Sequence, residues 1–135
     1  MLYIGRHEHV HLTDIGLNEL VAKIDTGAYT SSIHCAEVVE KDGKLICGFI
    51  NPRNDEASLK KIIFAAYKKR KVKSSNGSTE ERFAIKTKIK LGSHVYDIEL
   101  TLTNRESMKY PLLLGRKFLN GKYVVDVSRK NILSK

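Results

Sequence analysis

Ala22-Lys23-Ile24-Asp25-Thr26-Gly27-Ala28 is the most informative part of the sequence, and a second informative segment follows about ninety residues later, Leu112-Leu113-Leu114-Gly115-Arg116-Lys117-Phe118-Leu119. Residues 20–24 have the apolar composition of a buried strand, and this strand runs directly into Asp25-Thr26-Gly27. The second stretch predicts a short apolar strand, a glycine and one helical turn. We therefore expect an acidic side chain to lie where a buried strand emerges.

The rest of the chain carries the period-two alternation and the β-branched residues of strands, with turns at Gly and Asn. We predict further strands at residues 7–12, 33–39, 45–50, 83–91, 95–103 and 124–127, and turns at 13–18 and 41–44. Residues 51–73 are ambiguous, and we favour a short helix or loop near 55–61 followed by a strand that ends at Lys73. The tip 74–78 then joins two arms of a projecting hairpin. The pattern predicts a mainly β protein.

Size and composition favour one folded domain that spans residues 1–135. Of the 135 residues, 41% are hydrophobic and 29% are charged, as in ordinary globular domains. A domain of this size is small for a two-lobed enzyme, so a catalytic device with two symmetric halves must take the second half from another chain. Because no apolar run resembles a signal peptide or a membrane span, we expect a cytoplasmic protein without membrane association.

The chain is strongly basic, with a net charge of +9 and a sequence pI near 9.6, which indicates an acidic partner. Nucleic acid is a minor candidate, because the chain has no recognised nucleic-acid motif and few aromatic residues within its basic run. A glutamate-rich peptide is another candidate. The basic run 68–73 lies on one arm of the predicted hairpin, where it is either a solvated edge or a guide for an acidic peptide.

The two opening stretches, in this order and with the predicted strands between them, resemble the retropepsins, the single-domain retroviral aspartic proteases. The chain also resembles, over nearly its whole length, a bacterial group often labelled ATP-dependent zinc proteases. That likeness rests on 22–28 and on Val72-Lys73-Ser74-Ser75-Asn76-Gly77, Leu100-Thr101-Leu102-Thr103-Asn104-Arg105 and Asp126-Val127-Ser128. The resemblance implies a closed, mainly β acid-protease barrel with one short helix near the C-terminus. It also implies an association with an ATP-grasp glutamate ligase.

The resemblance assigns the catalytic role to Asp25, Thr26 and Gly27. Two carboxylates about 3 Å apart share one proton, so that one activates water while the other donates to the carbonyl oxygen of the substrate. The sequence has no second Asp-Thr-Gly or Asp-Ser-Gly, so the mechanism requires a symmetric homodimer with one Asp25 from each copy. Thr26 is expected to hydrogen-bond across the two-fold axis, and Gly27 lets the backbone turn tightly. The implied function is an aspartic-type hydrolase of peptide or isopeptide bonds.

The same resemblance predicts which residues support the catalytic loop and which contact substrate. Gly115 and Arg116 are expected to pack behind the loop. The residues expected to bind substrate are Ala28, the hairpin tip that corresponds to the flap, Ser74, Ser75, Asn76 and Gly77, and the basic residues Lys71 and Lys73. Retroviral enzymes usually have Asp where this chain has Tyr29, so Arg116 lacks its expected carboxylate partner and the dimer contact is expected to differ. The polar tip predicts a more polar substrate.

The principal alternative is a peptide-binding module that keeps the fold without hydrolysis. A metal-dependent reaction has less support: His7, His9 and His11 share one face of a strand, but neither a His-Glu-x-x-His motif nor a paired cysteine spacing accompanies them. Cys35 and Cys47 are expected to be free thiols. The chain also lacks a phosphate-binding loop of the Walker type, so we expect no metal and no other cofactor.

Overall fold

Short β-strands make up most of the structure, a computed structural model that describes residues 1–50, 59–73, 76–104 and 110–133. The strands are β1 (Leu2–Ile4), β2 (His7–Leu12), β3 (Leu17–Ile24), β4 (Ser31–His34), β5 (Glu37–Lys41), β6 (Lys44–Ile50), β7 (Leu59–Phe64), β8 (Lys68–Lys73), β9 (Thr79–Leu91), β10 (His94–Thr103), β11 (Leu112–Leu114) and β12 (Tyr123–Val125). A 3-10 turn, Thr13–Ile15, joins β2 to β3, and the α-helix α1 is Arg116–Leu119. Within the described ranges, no helix has the length and apolar character needed to cross a membrane.

Six of these strands close into a barrel. Around the barrel the order is β10, β4, β11, β3, β2 and β9, and β9 then pairs with β10. The pairs β10–β4 and β11–β3 are parallel, and the remaining pairs are antiparallel. Closure pairs every barrel strand on both sides, while β8 continues beyond the barrel as the second arm of a hairpin with β9. The predicted mainly β closed barrel, with one short helix near the C-terminus, is confirmed.

Alternating residues of the barrel strands fill its interior. In β10, Ile98, Leu100 and Leu102 are buried, as the alternation predicted. The fully buried side chains with the largest volumes include Leu12, Leu17, Leu20, Ile33, Ile85, Ile89, Leu91, Leu100 and Leu112. Each such side chain contributes about 1.5–3 kcal/mol of hydrophobic stabilisation, so the wall that contains β3 and β11 is a firm support for the loops that leave it.

A second sheet of three antiparallel strands, β5, β6 and β7, lies outside the barrel sheet. The predicted turn at 41–44 joins β5 to β6, with φ of 54° at Asp42 and 73° at Gly43. Two successive positive φ values are the mark of a tight hairpin turn whose twist matches that of the strands. This hairpin was therefore predicted correctly.

The predicted single strand at 33–39 is wrong, because the structure has two strands there. Cys35 and Ala36 separate β4 from β5: the Cys35 N–H donates to the Thr103 carbonyl at 2.9 Å, and the Ala36 N–H donates to the Gly48 carbonyl at 2.9 Å. At this point the chain leaves the barrel and joins the second sheet. No Gly or Pro marks this change of sheet, because the point at which the chain changes sheet depends on which partner strand lies nearby.

The prediction for residues 55–73 also needs correction. Residues 59–61 belong to strand β7, which pairs with β6. Residues 65–67 connect β7 to β8 without being part of a strand, and β8 pairs with β9. Tyr67 lies in this connection, where its ring packs edge-on against Phe83 and its hydroxyl donates to Glu40. Residues 51–58 lie outside the described part of the chain, and they include the first part, 55–58, of the helix or loop predicted for 55–61.

The two ends of the chain differ slightly from the predictions. The turn predicted for 13–18 is shorter, because Gly16, at φ of 68°, ends it and β3 begins at Leu17. The terminal strand is Tyr123–Val125, slightly earlier than the predicted 124–127. It pairs in parallel with β1, so the first and last strands of the chain form a small sheet of their own.

A buried carboxylate, Glu8 of β2, holds the C-terminal segment, residues 129–133, against the barrel. Its side chain is fully buried and accepts three backbone N–H groups, from Gly5 at 2.8 Å, Ile132 at 3.0 Å and Leu133 at 3.0 Å. Arg6 connects this anchor to β3, because its N–H donates to the Arg129 carbonyl at 2.8 Å and its carbonyl accepts the Ile24 N–H at 2.9 Å. The C-terminal segment thus supports the strand that leads into Asp25.

Candidate active site

Asp25 lies at the point where β3 leaves the barrel wall. Its N–H donates to the Leu114 carbonyl at 2.9 Å, continuing the parallel pairing of β3 with β11 by one residue. The side chain is half-buried. The stretches 22–28 and 112–119 are therefore neighbours in the fold, with the acid at their shared end.

A tight turn orients the Asp25 carboxylate. The Ala28 N–H donates to the Asp25 carbonyl at 3.2 Å, and the Gly27 N–H donates to Asp25 Oδ1 at 3.1 Å. An Asp side chain commonly bonds to the backbone two residues on in such turns. Thr26 and Gly27 are exposed at the apex. The turn therefore holds one carboxylate oxygen and presents the adjoining residues outward.

Gly115 packs against the backbone of the loop that follows the tripeptide. Its N–H donates to Ser31 Oγ at 3.0 Å, and the next N–H, that of Arg116, donates to the Ala28 carbonyl at 2.8 Å. A methyl group on Gly115 would lie 2.5 Å from the Thr30 carbonyl oxygen and 2.7 Å from that of Tyr29. Only glycine fits this contact, and Gly115 and Arg116 both contact the loop that follows Asp25.

Gly115→Ala is expected to lower the free energy of unfolding by about 2–3 kcal/mol, because two backbone oxygens would have to move. Urea unfolding measures this change. The control is Gly121→Ala, which has open space but a φ of 77° and should cost about 1 kcal/mol from backbone strain. Equal losses for the two variants would contradict the close contact at Gly115.

Arg116 contacts two groups instead of the carboxylate that is usual in retroviral enzymes. Its Nη1 donates to the Thr26 carbonyl at 3.0 Å, and its guanidinium carbon lies 5.8 Å from the centroid of the Tyr29 ring. A guanidinium at this distance from an aromatic ring is attracted by the π electrons. Tyr29 thus replaces an ion pair with a cation–π contact. Arg116 still braces the turn that contains Asp25.

The predicted substrate-binding residues of the hairpin are only partly brought together. Ser74 and Ser75 lie outside the described residues. At the tip, Asn76 Oδ1 accepts the Ser78 N–H at 3.0 Å, and Gly77 has a φ of 87°. Lys71 lines a cavity together with Tyr29 and Thr30, whereas Lys73, Asn76 and Gly77 do not line it. The structure therefore connects Lys71, but not Lys73, Asn76 or Gly77, with the loop that follows Asp25.

An ion-pair cluster centred on Glu99 of β10 was missed by the sequence analysis. Glu99 Oε1 accepts from Arg70 Nε of β8 at 2.8 Å, and Glu99 Oε2 lies 3.4 Å from Lys117 Nζ of α1. Partial burial acts to raise the pKa of Glu99, but the two cations outweigh it and hold the pKa below its ordinary value of 4.5. The only sequence signal was an acid on the polar side of an alternating strand.

Glu99→Gln is expected to reduce the loss of stability in acid. Because the folded-state pKa of Glu99 is lowered, its contribution is fully present above about pH 4.5 and is lost as the pH falls through the lower folded-state pKa. Urea unfolding from about pH 6 to about pH 3 should therefore give a steeper decline for the parent than for the variant. Glu81→Gln is the control, since this exposed acid makes only a 3.9 Å pair with Lys69. Parallel curves for the parent and Glu99→Gln would contradict the ion-pair cluster.

The remaining candidate ligands do not form a centre among the described residues. No group of three or more His, Cys, Asp or Glu side chains there could hold a metal ion. His7, His9 and His11 are half-buried on one face of β2. Cys35 and Cys47 are buried free thiols.

Comparisons with known proteins extend over nearly the whole chain. Residues 3–135 match the family described as retropepsin-like aspartic endopeptidase RimB. A probable alpha-L-glutamate ligase of Shewanella halifaxensis is 37% identical over 129 residues, which are 93% of this chain and 28% of that protein. One of Desulfotalea psychrophila is 36% identical over 91% of this chain and 27% of its own length. The chain spans little more than a quarter of these curated relatives.

A solved structure agrees with the fold. The crystal structure of Lpg0085, a Legionella pneumophila protein of unknown function, superposes with a TM-score of 0.76 at 31% sequence identity and covers 98% of both chains. The family match includes the Asp25 turn, the hairpin of β8 and β9, and the Gly115-Arg116 segment. The chain belongs to the retropepsin-like aspartic endopeptidase RimB family.

Proposed function

We propose that this chain is one half of an aspartic peptidase that hydrolyses peptide or isopeptide bonds in glutamate-rich substrates. The observation that carries this proposal is the Asp25 carboxylate, held by the Gly27 N–H at the end of a barrel strand and braced by Arg116 through the Thr26 carbonyl. Family membership supports the same chemistry. The proposed unit of activity is a homodimer of domains that each span residues 1–135.

In the proposed reaction, two Asp25 carboxylates, one from each copy, share a proton. One carboxylate takes a proton from water as the water attacks the carbonyl carbon, and the other donates its proton to the carbonyl oxygen. The C–N bond of the resulting tetrahedral intermediate then breaks: the first carboxyl gives its proton to the leaving nitrogen, and a hydroxyl proton of the intermediate returns to the second carboxylate. The exposed position of Thr26 and Gly27 at the apex of the turn supports an approach by a second copy. The proposed role of Thr26 is to join the two turns across the two-fold axis, and that of Ala28 is to contact the substrate backbone.

Two observations support a glutamate-rich substrate. The chain has a net charge of +9, and its hairpin arm carries five cations among the six residues of β8. The curated relatives are named probable alpha-L-glutamate ligases. We therefore also propose an ATP-grasp glutamate ligase as a partner, whose glutamate-containing product this chain would cleave.

The test is hydrolysis of an oligoglutamate peptide and of the matching oligoglutamine peptide, each at mildly acidic and at neutral pH. We expect faster cleavage of the glutamate peptide, weakened by added salt because exposed charges are screened. A chelator should leave the rate unchanged. Inhibition by the chelator would contradict the aspartic mechanism, and equal cleavage of both peptides would contradict the substrate class.

A peptide-binding module without hydrolysis is the second candidate, and Tyr29 is the observation that favours it. The ring of Tyr29 takes the Arg116 contact that retroviral enzymes usually give to an aspartate near the dimer contact. If the dimer forms differently, the two Asp25 side chains do not meet. In that case the chain would bind the glutamate peptide and release it uncut.

A further inference from the structure

A cavity of about 390 Å³ opens beside the loop that follows the catalytic tripeptide. Tyr29 and Thr30 form one side of it, and Lys71 of the hairpin arm forms another. Lys117 and Phe118 of α1 line it as well. Its volume falls in the range of about 300–1,000 Å³ that is usual for ligand pockets. The cavity is therefore large enough for a side chain of a peptide that lies along the Asp25 turn.

The walls of this cavity carry more positive than negative charge. Four cations, Arg70, Lys71, Lys117 and Lys122, face two acids, Asp97 and Glu99. Asp97 is already paired with Lys88, which lies outside the lining. Among the described residues, Lys71 makes no ion pair. A carboxylate that enters the cavity therefore meets unneutralised positive charge.

Glu99 keeps two of these cations at the cavity. It binds Arg70 Nε at 2.8 Å and Lys117 Nζ at the longer distance of 3.4 Å. A lysine ammonium has three donors, so Lys117 can bind Glu99 and a second carboxylate at once. The low pKa of Glu99 keeps it ionised for this role at neutral pH. Glu99 is thus a positioning residue for Lys117.

We propose that this cavity is a specificity subsite for a glutamyl side chain of the substrate, with Lys71 and Lys117 binding its carboxylate and Tyr29 and Phe118 packing against its methylene groups. This inference rests on the proposed function, because it assigns a recognition site to the same acidic peptide. It adds that the preference for glutamate depends on two particular lysines and not on the net charge of the chain.

Peptide binding tests the subsite separately from hydrolysis. A fluorescein-labelled oligoglutamate peptide and its oligoglutamine counterpart are titrated into the full chain with Asp25→Asn, which prevents cleavage, and anisotropy gives Kd. Lys71→Met and Lys117→Met are each expected to weaken glutamate-peptide binding about fivefold, with little change for the glutamine peptide. Lys44→Met, at the exposed turn between β5 and β6, removes the same charge from a residue that does not line the cavity and is the matched control.

Each outcome decides the proposal. A larger loss for Lys71→Met and Lys117→Met than for Lys44→Met, restricted to the glutamate peptide, supports the subsite. Equal losses for the three variants, equal losses on both peptides, or no preference of the parent for glutamate would overturn it. If the lysine variants behave as expected but the chain with Asp25 cleaves neither peptide, the subsite stands and the proposed hydrolysis fails. If the chain cleaves the glutamate peptide and the lysine variants change nothing, only the subsite fails.

Discussion

Asp25→Asn is expected to reduce the hydrolysis of an oligoglutamate peptide by at least about a thousandfold, because an amide can neither take a proton from water nor share one with a second carboxylate. The substitution keeps the shape of the side chain and the oxygen that accepts the Gly27 N–H. The fold should therefore be retained. The measurement compares initial rates of the parent and the variant at mildly acidic and neutral pH.

The control is Asp42→Asn, the same change at the exposed turn between β5 and β6, where a φ of 54° suits Asn as well as Asp. Its rate should equal that of the parent. Circular dichroism and thermal unfolding would verify that both variants fold. Equal activity of the parent and Asp25→Asn, or no activity in either, would contradict the enzyme proposal and favour the binding module.

Glu8→Gln is expected to lower the free energy of unfolding by about 2–4 kcal/mol. Both carboxylate oxygens of Glu8 accept backbone N–H groups: Oε2 accepts those of Gly5 and Ile132, and Oε1 accepts that of Leu133. A glutamine would turn its NH2 group toward one or two of these donors, which would then be buried without an acceptor. Urea unfolding measures the loss.

The loss of stability at Glu8 should also affect the site. Arg6 links the C-terminal segment to Ile24, the residue before Asp25, so faster amide hydrogen exchange is expected at both Ile132 and Ile24. Glu37→Gln, an exposed acid at the start of β5, is the control and should change stability by less than about 0.5 kcal/mol. A similar small effect at Glu8 would contradict its role as the anchor of the C-terminal segment.

Several features of the site were predictable because they depend on neighbours in the sequence. An apolar strand followed by Asp-Thr-Gly predicts where Asp25 emerges, and Gly115 followed by Arg116 predicts the segment behind it. The two segments meet because β3 and β11 pair in parallel, whereas the family resemblance implied only that the second segment packs behind the first. The cation–π contact between Arg116 and Tyr29 was not predicted, because the sequence indicates only which carboxylate is missing.

The ion-pair cluster and the C-terminal anchor were not predicted, because their partners meet only in the folded barrel. Glu99 pairs with a cation 29 residues away on the hairpin arm, and Glu8 accepts from N–H groups 124 and 125 residues away. A signal for Glu8 did exist. The alternation of β2 puts it on the same face as the buried Val10 and Leu12, and a charge on an apolar face is buried only with partners.

The errors in secondary structure have a similar origin. The spacing of apolar residues from Leu59 onward fits a helix as well as a strand, and pairing with β6 decides for the strand. Nor does any local residue type show that the chain changes sheets at Cys35 and Ala36. In both places the choice depends on which strand is available as a partner, which short-range patterns do not contain.

We propose that two copies of Asp25 form one catalytic pair, and mixing the parent with the Asp25→Asn variant tests this pairing. At constant total protein, well above the dimer dissociation constant, only dimers with two intact copies should hydrolyse the oligoglutamate peptide. Activity is expected to follow the square of the parent fraction, so an equal mixture keeps roughly one quarter of the parent rate. A linear dependence, with roughly one half of the rate in the equal mixture, would contradict it, because each chain would then act alone.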